Sequence, residues 1–148
     1  MSPGFFDLLK DQRPLLQDAE AKTHEMLRST QEMFRLAVAS LREESYAPVR
    51  QKLRFMDLQI NQGEQEVRQK VFQYLSIAQS KDLLSGLRLL TIVIDLERIG
   101  DYTKNMSELE SIFPGRLEPG EHEAVLDEVL DRTMRLFRQT QGVLQSGE

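Results

Sequence analysis

The sequence predicts an all-α antiparallel helical bundle. Apolar residues recur at three- and four-residue steps along four long segments, no stretch alternates with a period of two, and glycine and proline are scarce and sit at the joints. Those joints are Pro14, Pro48, Pro114-Gly115 and Pro119-Gly120. The chain of 148 residues is long enough for one domain with a sizeable core, and 40% hydrophobic with 29% charged residues is the balance of a chain that folds. It divides into a short N-terminal apolar segment (1–14), a three-helix unit (15–111), and a loop with an additional C-terminal helix that completes the bundle (112–148).

The first segment carries Phe5, Phe6, Leu8 and Leu9 ahead of Pro14. Such a cluster is either a short helix capping the bundle end or an exposed docking patch. From 15 to 44, Leu16, Ala19, Thr23, Met26, Leu27, Met33, Phe34, Ala37 and Leu41 form one stripe, an amphipathic helix of about eight turns. From 48 to 79, the stripe is Leu53, Met56, Ile60, Val67, Val71, Tyr74, Leu75 and Ala78. The third helix, from Leu83 to Ser111, is apolar nearly all round in its first half and reads as the central, most buried one. The fourth begins after 116-RLEPGEHE-123 and runs to Gln145, with Val125, Val129, Phe137, Thr140 and Val143 or Leu144 inward.

Composition removes several functions. With 24 acidic and 19 basic residues, a net charge of −5 and no run of Lys or Arg, the chain lacks the basic stripe that neutralises phosphates in a nucleic-acid binder. Its lack of cysteine excludes disulfides, thiolate zinc sites and a Cys nucleophile. Neither a signal peptide nor a membrane-spanning helix is expected, and a cytoplasmic location fits. His24 and His122 are the only histidines, and neither stands in the Glu-x-x-His pattern of a di-iron bundle. Gly-rich phosphate loops, HExxH and serine elbows are missing too, so the chain is not expected to be an enzyme.

Chemistry concentrates in two patches. On the third helix Glu97, Asp101 and Glu108 project within roughly 40° of one another, on the line of Leu83, Leu90 and Ile94, so these acids are expected to continue the core-facing stripe. Asp95 and Arg98 point elsewhere, roughly 160° and 100° from Glu97. On the second helix Asp57, Asn61 and Glu64 share a face, with Glu64 inside the apolar stripe and the other two at its margin. If the helices are neighbours, oxygen ligands converge, and buried carboxylates need a cation or a basic partner. Hard oxygen ligands suit Mg, Ca, Mn or oxidised iron. The other reading is pairing with Arg54, Arg88, Arg98 or Lys104 on the same helices.

The segment 93-VIDLERIGDYTKNM-106 resembles the signature of the PhoU family, an E/D-xxx-D motif set in D-L-E-R-I-G-D and followed by an Asn. Upstream, 57-DLQINQGEQEV-67 is similar to that family's D-x-x-I-N-x-x-E pattern on the preceding helix. The resemblance implies a cytoplasmic regulator of phosphate homeostasis that restrains phosphate uptake and phosphate-starvation signalling. Its partners would be a phosphate transporter and a sensor histidine kinase, with the membrane reached only through the transporter. It also implies metal ligands: Glu97 and Asp101 first, then Asp57, Asn61 and Glu64, holding ions of the iron or Mg/Mn/Ca class. Asn105, matching the motif's Asn, is implied to support the site or the helix packing. The alternative is a structural accessory module of another class of phosphate transporter, with no metal.

The sequence also departs from the family pattern. The usual protein carries two three-helix domains in tandem, whereas 121-EHEAVLDEVLDRTMRLFRQTQGVLQ-145 adds one helix and no second DLERIGD. A homodimer that rebuilds the two-domain arrangement is expected. Gly86 stands where the family often has an acidic residue ahead of Leu-Arg, which bears on whether a complete cluster forms.

Overall fold

The computed structural model describes residues 13–42, 47–76, 83–112 and 115–146. Four helices account for most of them: α1 (Arg13–Ser40), α2 (Ala47–Leu75), α3 (Leu83–Met106) and α4 (Glu123–Ser146), and there is no strand among the described residues. The predicted all-α bundle is what forms. Pro14 and Pro48 each sit second in their helices, where a missing N–H is harmless. The third helix gives way after Met106 to a 3-10 turn, Ser107–Ser111, earlier than its periodicity suggested. The connection into α4 turns through Gly115 and Gly120, whose φ angles of 105° and 59° lie in the left-handed region. The apolar cluster Phe5, Phe6, Leu8 and Leu9 lies outside the described residues.

The central helix is α1, which packs on α2, α3 and α4, not the third helix as its composition suggested. Its stripe is the expected one: Ala19, Thr23, Met26, Leu27, Met33, Phe34, Ala37 and Leu41 are all buried. Its buried hydroxyls are satisfied within the helix, Thr23 donating to the Ala19 carbonyl at 2.8 Å and Thr30 to that of Met26 at 2.9 Å. Against it α2 sets Leu53, Ile60, Val67, Val71 and Tyr74, again as predicted. Ala78, assigned to that stripe, lies outside the described residues.

On α3 the buried line is Gly86, Leu89, Val93, Leu96, Gly100 and Thr103. Leu83, Leu84, Leu87 and Ile94 are exposed, because α3 has neighbours on only one side and a helix apolar all round must leave one flank in water. Two of its glycines mark close helix approach. A Cβ built on Gly86 would stand 2.9 Å from Leu75 Cδ2, and one on Gly100 3.3 Å from Ile60 Cδ1.

The fourth helix meets α1 along a face that keeps Phe137 and Leu144 of the predicted set and replaces the rest. Phe137 is buried against Phe34, ring centroids 5.7 Å apart, with Leu130, Met134 and Leu144 half-buried beside it. Val125, Val129, Thr140 and Val143, expected inward, are exposed. The helix carries two apolar stripes, and the covered one lies on the side where Arg42, at the end of α1, pairs with Asp127 and, at 3.3 Å, with Glu123. That bridge and the Leu117 N–H donating to the Leu41 carbonyl at 2.9 Å set how the connection delivers α4 to α1.

Candidate functional site, an acidic seam between two helices

Helices α2 and α3 pack antiparallel, and Gly100 against Ile60 brings their backbones together where the acids lie. The acids do not continue the α3 core line as expected; they flank it. Glu97 and Asp101 are half-buried on the side turned to α2, and Glu108, on the same line, is exposed. The wheel placed them with Leu83, Leu90 and Ile94, but the buried line runs through Leu89, Val93 and Leu96, one position round.

On α2 the order of burial reverses the expectation. The Asp57 side chain is only 9% exposed, whereas Glu64 is half-buried and turns to Arg68, which donates to its Oε1 at 2.9 Å. Asn61 is half-buried, as Glu64 is. Two oxygens of this seam, Asp57 Oδ1 and Asn61 Oδ1, are buried without a hydrogen-bond partner.

Lys104 closes the seam. Its ammonium donates to Asp101 Oδ1 at 2.6 Å on its own helix and to Asp57 Oδ2 at 3.1 Å across on α2. Of the four bases proposed for pairing, this one joins the two helices. Arg98 instead meets Asp95 at 3.6 Å in an exposed pair, and Arg68, not among the four, takes Glu64. An i, i+4 spacing from Glu64 marks Arg68 in the sequence, but its direction needs the fold. The hydrogen bond to Asp101, followed by that to Asp57 and both charges, holds the Lys104 pKa above its ordinary value against burial. The Glu97 carboxyl is pushed above the usual carboxylate range, by burial first and then by Asp101, Glu64 and Asp57, with Lys104 opposing.

The seam thus brings all five predicted residues to one side of two neighbouring helices, as four carboxyl groups and an amide. As arranged they are not a ready cation cage. Among the described residues no three His, Cys, Asp or Glu side chains are gathered to hold a metal ion, and an ammonium stands between Asp57 and Asp101. Asn105 is exposed, so the supporting role implied for it is not seen. Tyr74 is buried on α2, and Tyr102 is exposed on α3. His24 borders a cavity with Glu20 and Arg88 at the far end of α1, and His122 is exposed, so neither reaches the seam.

Fold and seam define the class: an antiparallel helical domain whose second and third helices are drawn together by glycine and lined with acids. The chain belongs to the PhoU domain family, whose model matches residues 23–109. Neither the curated proteins nor the solved structures include a significant match. The matched span covers most of α1, all of α2 and α3 and part of the 3-10 turn, and leaves α4 outside.

Proposed function

We propose that this chain is a cytoplasmic, non-enzymatic regulator of phosphate homeostasis that restrains phosphate uptake and phosphate-starvation signalling through contacts with a phosphate transporter and a sensor histidine kinase. The observation that carries this is the family match over 23–109, with DLERIGD set on α3 facing Asp57, Asn61 and Glu64 of α2. No helix among the described residues is long and apolar enough to cross a membrane, so the reading reaches the membrane through the transporter. Removing the chain from its cells tests it. Phosphate uptake and a starvation-responsive reporter should both rise in phosphate-replete medium, and unchanged levels of both overturn the proposal.

Pairing of two copies is part of this reading. Val125, Val129, Leu136 and Val143 form an exposed stripe at heptad-like spacing along α4, flanked by Glu128 and Arg135 seven residues apart. In an antiparallel pair about a two-fold axis this stripe would be covered by its own copy. Light scattering on the purified chain should give a dimer that Leu136→Glu converts to monomer. A monomeric wild-type chain removes the pairing and leaves the regulatory role standing.

Hard-cation binding by Glu97, Asp101, Asp57, Asn61 and Glu64, of the iron or Mg/Mn/Ca class, is a separate element. The orphaned oxygens of Asp57 and Asn61 favour it, and the ammonium between Asp57 and Asp101 opposes it. The ion pairs of Lys104 and Arg68 favour the accessory-module reading, in which the acids serve structure alone. Such a module keeps its transporter contact after exhaustive chelation, whereas a metal-built docking surface loses it.

A further inference from the structure

The position of Lys104 decides what the acidic seam holds. Its Nζ lies 3.1 Å from Asp57 Oδ2 and 2.6 Å from Asp101 Oδ1, the only pair of carboxylates in the seam joined across the two helices by one cationic group among the described residues. A divalent ion bridging the same two oxygens would sit at about 2.0–2.6 Å from each, in the space the ammonium fills. Ammonium and ion therefore exclude each other. The ammonium has the advantage of being tethered: it is built on α3 three residues after Asp101, so it meets the seam at the high effective concentration of an intramolecular group. Its side chain is 27% exposed and that of Asp57 9%, which shields the arm across to α2 from water and salt, while Asp101 on its own helix is 44% exposed. Around it the acceptors are laid out in excess, since Asp57 Oδ1 and Asn61 Oδ1 are buried and unpartnered.

We propose that Lys104 is the resident counter-cation of this seam, so that the chain holds α2 to α3 without a metal ion, and that the seam becomes a hard-cation site only when this ammonium is removed. The claim goes beyond the phosphate-related reading and stands or falls separately from it, because its readouts are metal binding and melting, not phosphate uptake.

The test uses the full chain, wild type and Lys104→Met, with Mn²⁺ as the probe. Calorimetric titration should show no saturable Mn²⁺ binding at micromolar concentrations to the wild type, and its melting temperature should be the same in EDTA and in millimolar Mn²⁺. In EDTA, Lys104→Met should melt lower by on the order of 5 °C, since Asp57 keeps a buried charge with no partner. Mn²⁺ should restore most of that loss and bind at least about tenfold more tightly than to the wild type. Lys104→Arg, which keeps the charge, should remain insensitive to EDTA. Wild-type melting that falls in EDTA overturns the proposal, as does equal Mn²⁺ affinity in wild type and Lys104→Met. If Lys104→Met is recovered only unfolded, the wild-type arm decides: insensitivity to EDTA together with no Mn²⁺ binding supports the proposal, and the opposite result overturns it.

Discussion

Gly100→Ala and Gly142→Ala are the same chemical change in two helices, and the structure predicts opposite signs. Gly142 is exposed on α4, and a Cβ there meets nothing within 4 Å. Replacing it should stabilise the chain by about 0.5–1 kcal/mol, the helix-propensity gap between glycine and alanine. At Gly100 the same gain is opposed by crowding, because the new Cβ would stand 3.3 Å from Ile60 Cδ1 and 3.5 Å from Ile60 Cγ2. Ile60 is 1% exposed, and its branched Cβ leaves it little rotamer freedom, so it yields mainly by pushing α2 from α3. Overpacking of this kind costs about 1–3 kcal/mol, which leaves Gly100→Ala net destabilising by about 1 kcal/mol once the propensity gain is subtracted. Urea unfolding monitored by circular dichroism resolves the two signs, and at this length about 1 kcal/mol corresponds to a melting shift of about 2–4 °C. Ile60→Val removes the offending methyl, so the double variant Gly100→Ala/Ile60→Val should be more stable than the sum of its parts by about 1 kcal/mol. If Gly100→Ala stabilises as much as Gly142→Ala, α3 does not approach α2 as described, and the packing account of the glycine in DLERIGD is wrong.

Three further outcomes follow from particular contacts. Glu97 has a folded pKa raised by burial and by Asp101, Glu64 and Asp57. What it contributes to stability is therefore present below its unfolded value of about 4.3 and lost as pH rises through the folded value. Glu97→Gln should accordingly melt above the wild type at neutral pH and converge with it near about pH 4; a variant that melts lower at neutral pH would mean that the charge is compensated, as a bound cation would do. Phe137 is the buried contact of α4, so Phe137→Ala should cost about 3–5 kcal/mol, and hydrogen exchange should quicken in α4 more than in α1 to α3. Uniform acceleration would show α4 to be part of the same cooperative unit. Leu53, fully buried on α2, should cost about 2–5 kcal/mol as Leu53→Ala, checked by urea unfolding, whereas the exposed Leu58→Ala should fall within about 0.5 kcal/mol of the wild type.

Periodicity made α1 and α2 legible because each buries a single stripe: from Ala19 to Leu41 and from Leu53 to Tyr74 the spacing and the burial coincide. It failed on α3 and α4, where apolar residues outnumber the positions a neighbour can cover. On α3, Leu83, Leu87 and Ile94 look as buried as Leu89 and Val93 until the partner's direction is known. The glycines could have signalled that direction, since Gly86 and Gly100 lie on the close-packed line and leave room for Leu75 and Ile60. On α4 periodicity puts Phe137 and Leu144 on one face with Val125 and Val129, whereas the covered face runs through Leu130, Met134, Phe137 and Leu144, on the side where Arg42 meets Asp127 and Glu123. For the seam, the residue types and the helices that bear them were readable, and the two helices do bring the acids together. What was not readable was the depth order, with Asp57 buried and Glu64 turned out to Arg68, or which of four nearby bases would serve. Both depend on a cross-helix distance that no spacing along one helix contains. Lys104 is three residues past Asp101 and 47 past Asp57, and only the antiparallel contact of α2 with α3 makes those separations equivalent. The same contact makes the ammonium, and not the count of carboxylates, the quantity that decides whether the seam takes up a cation.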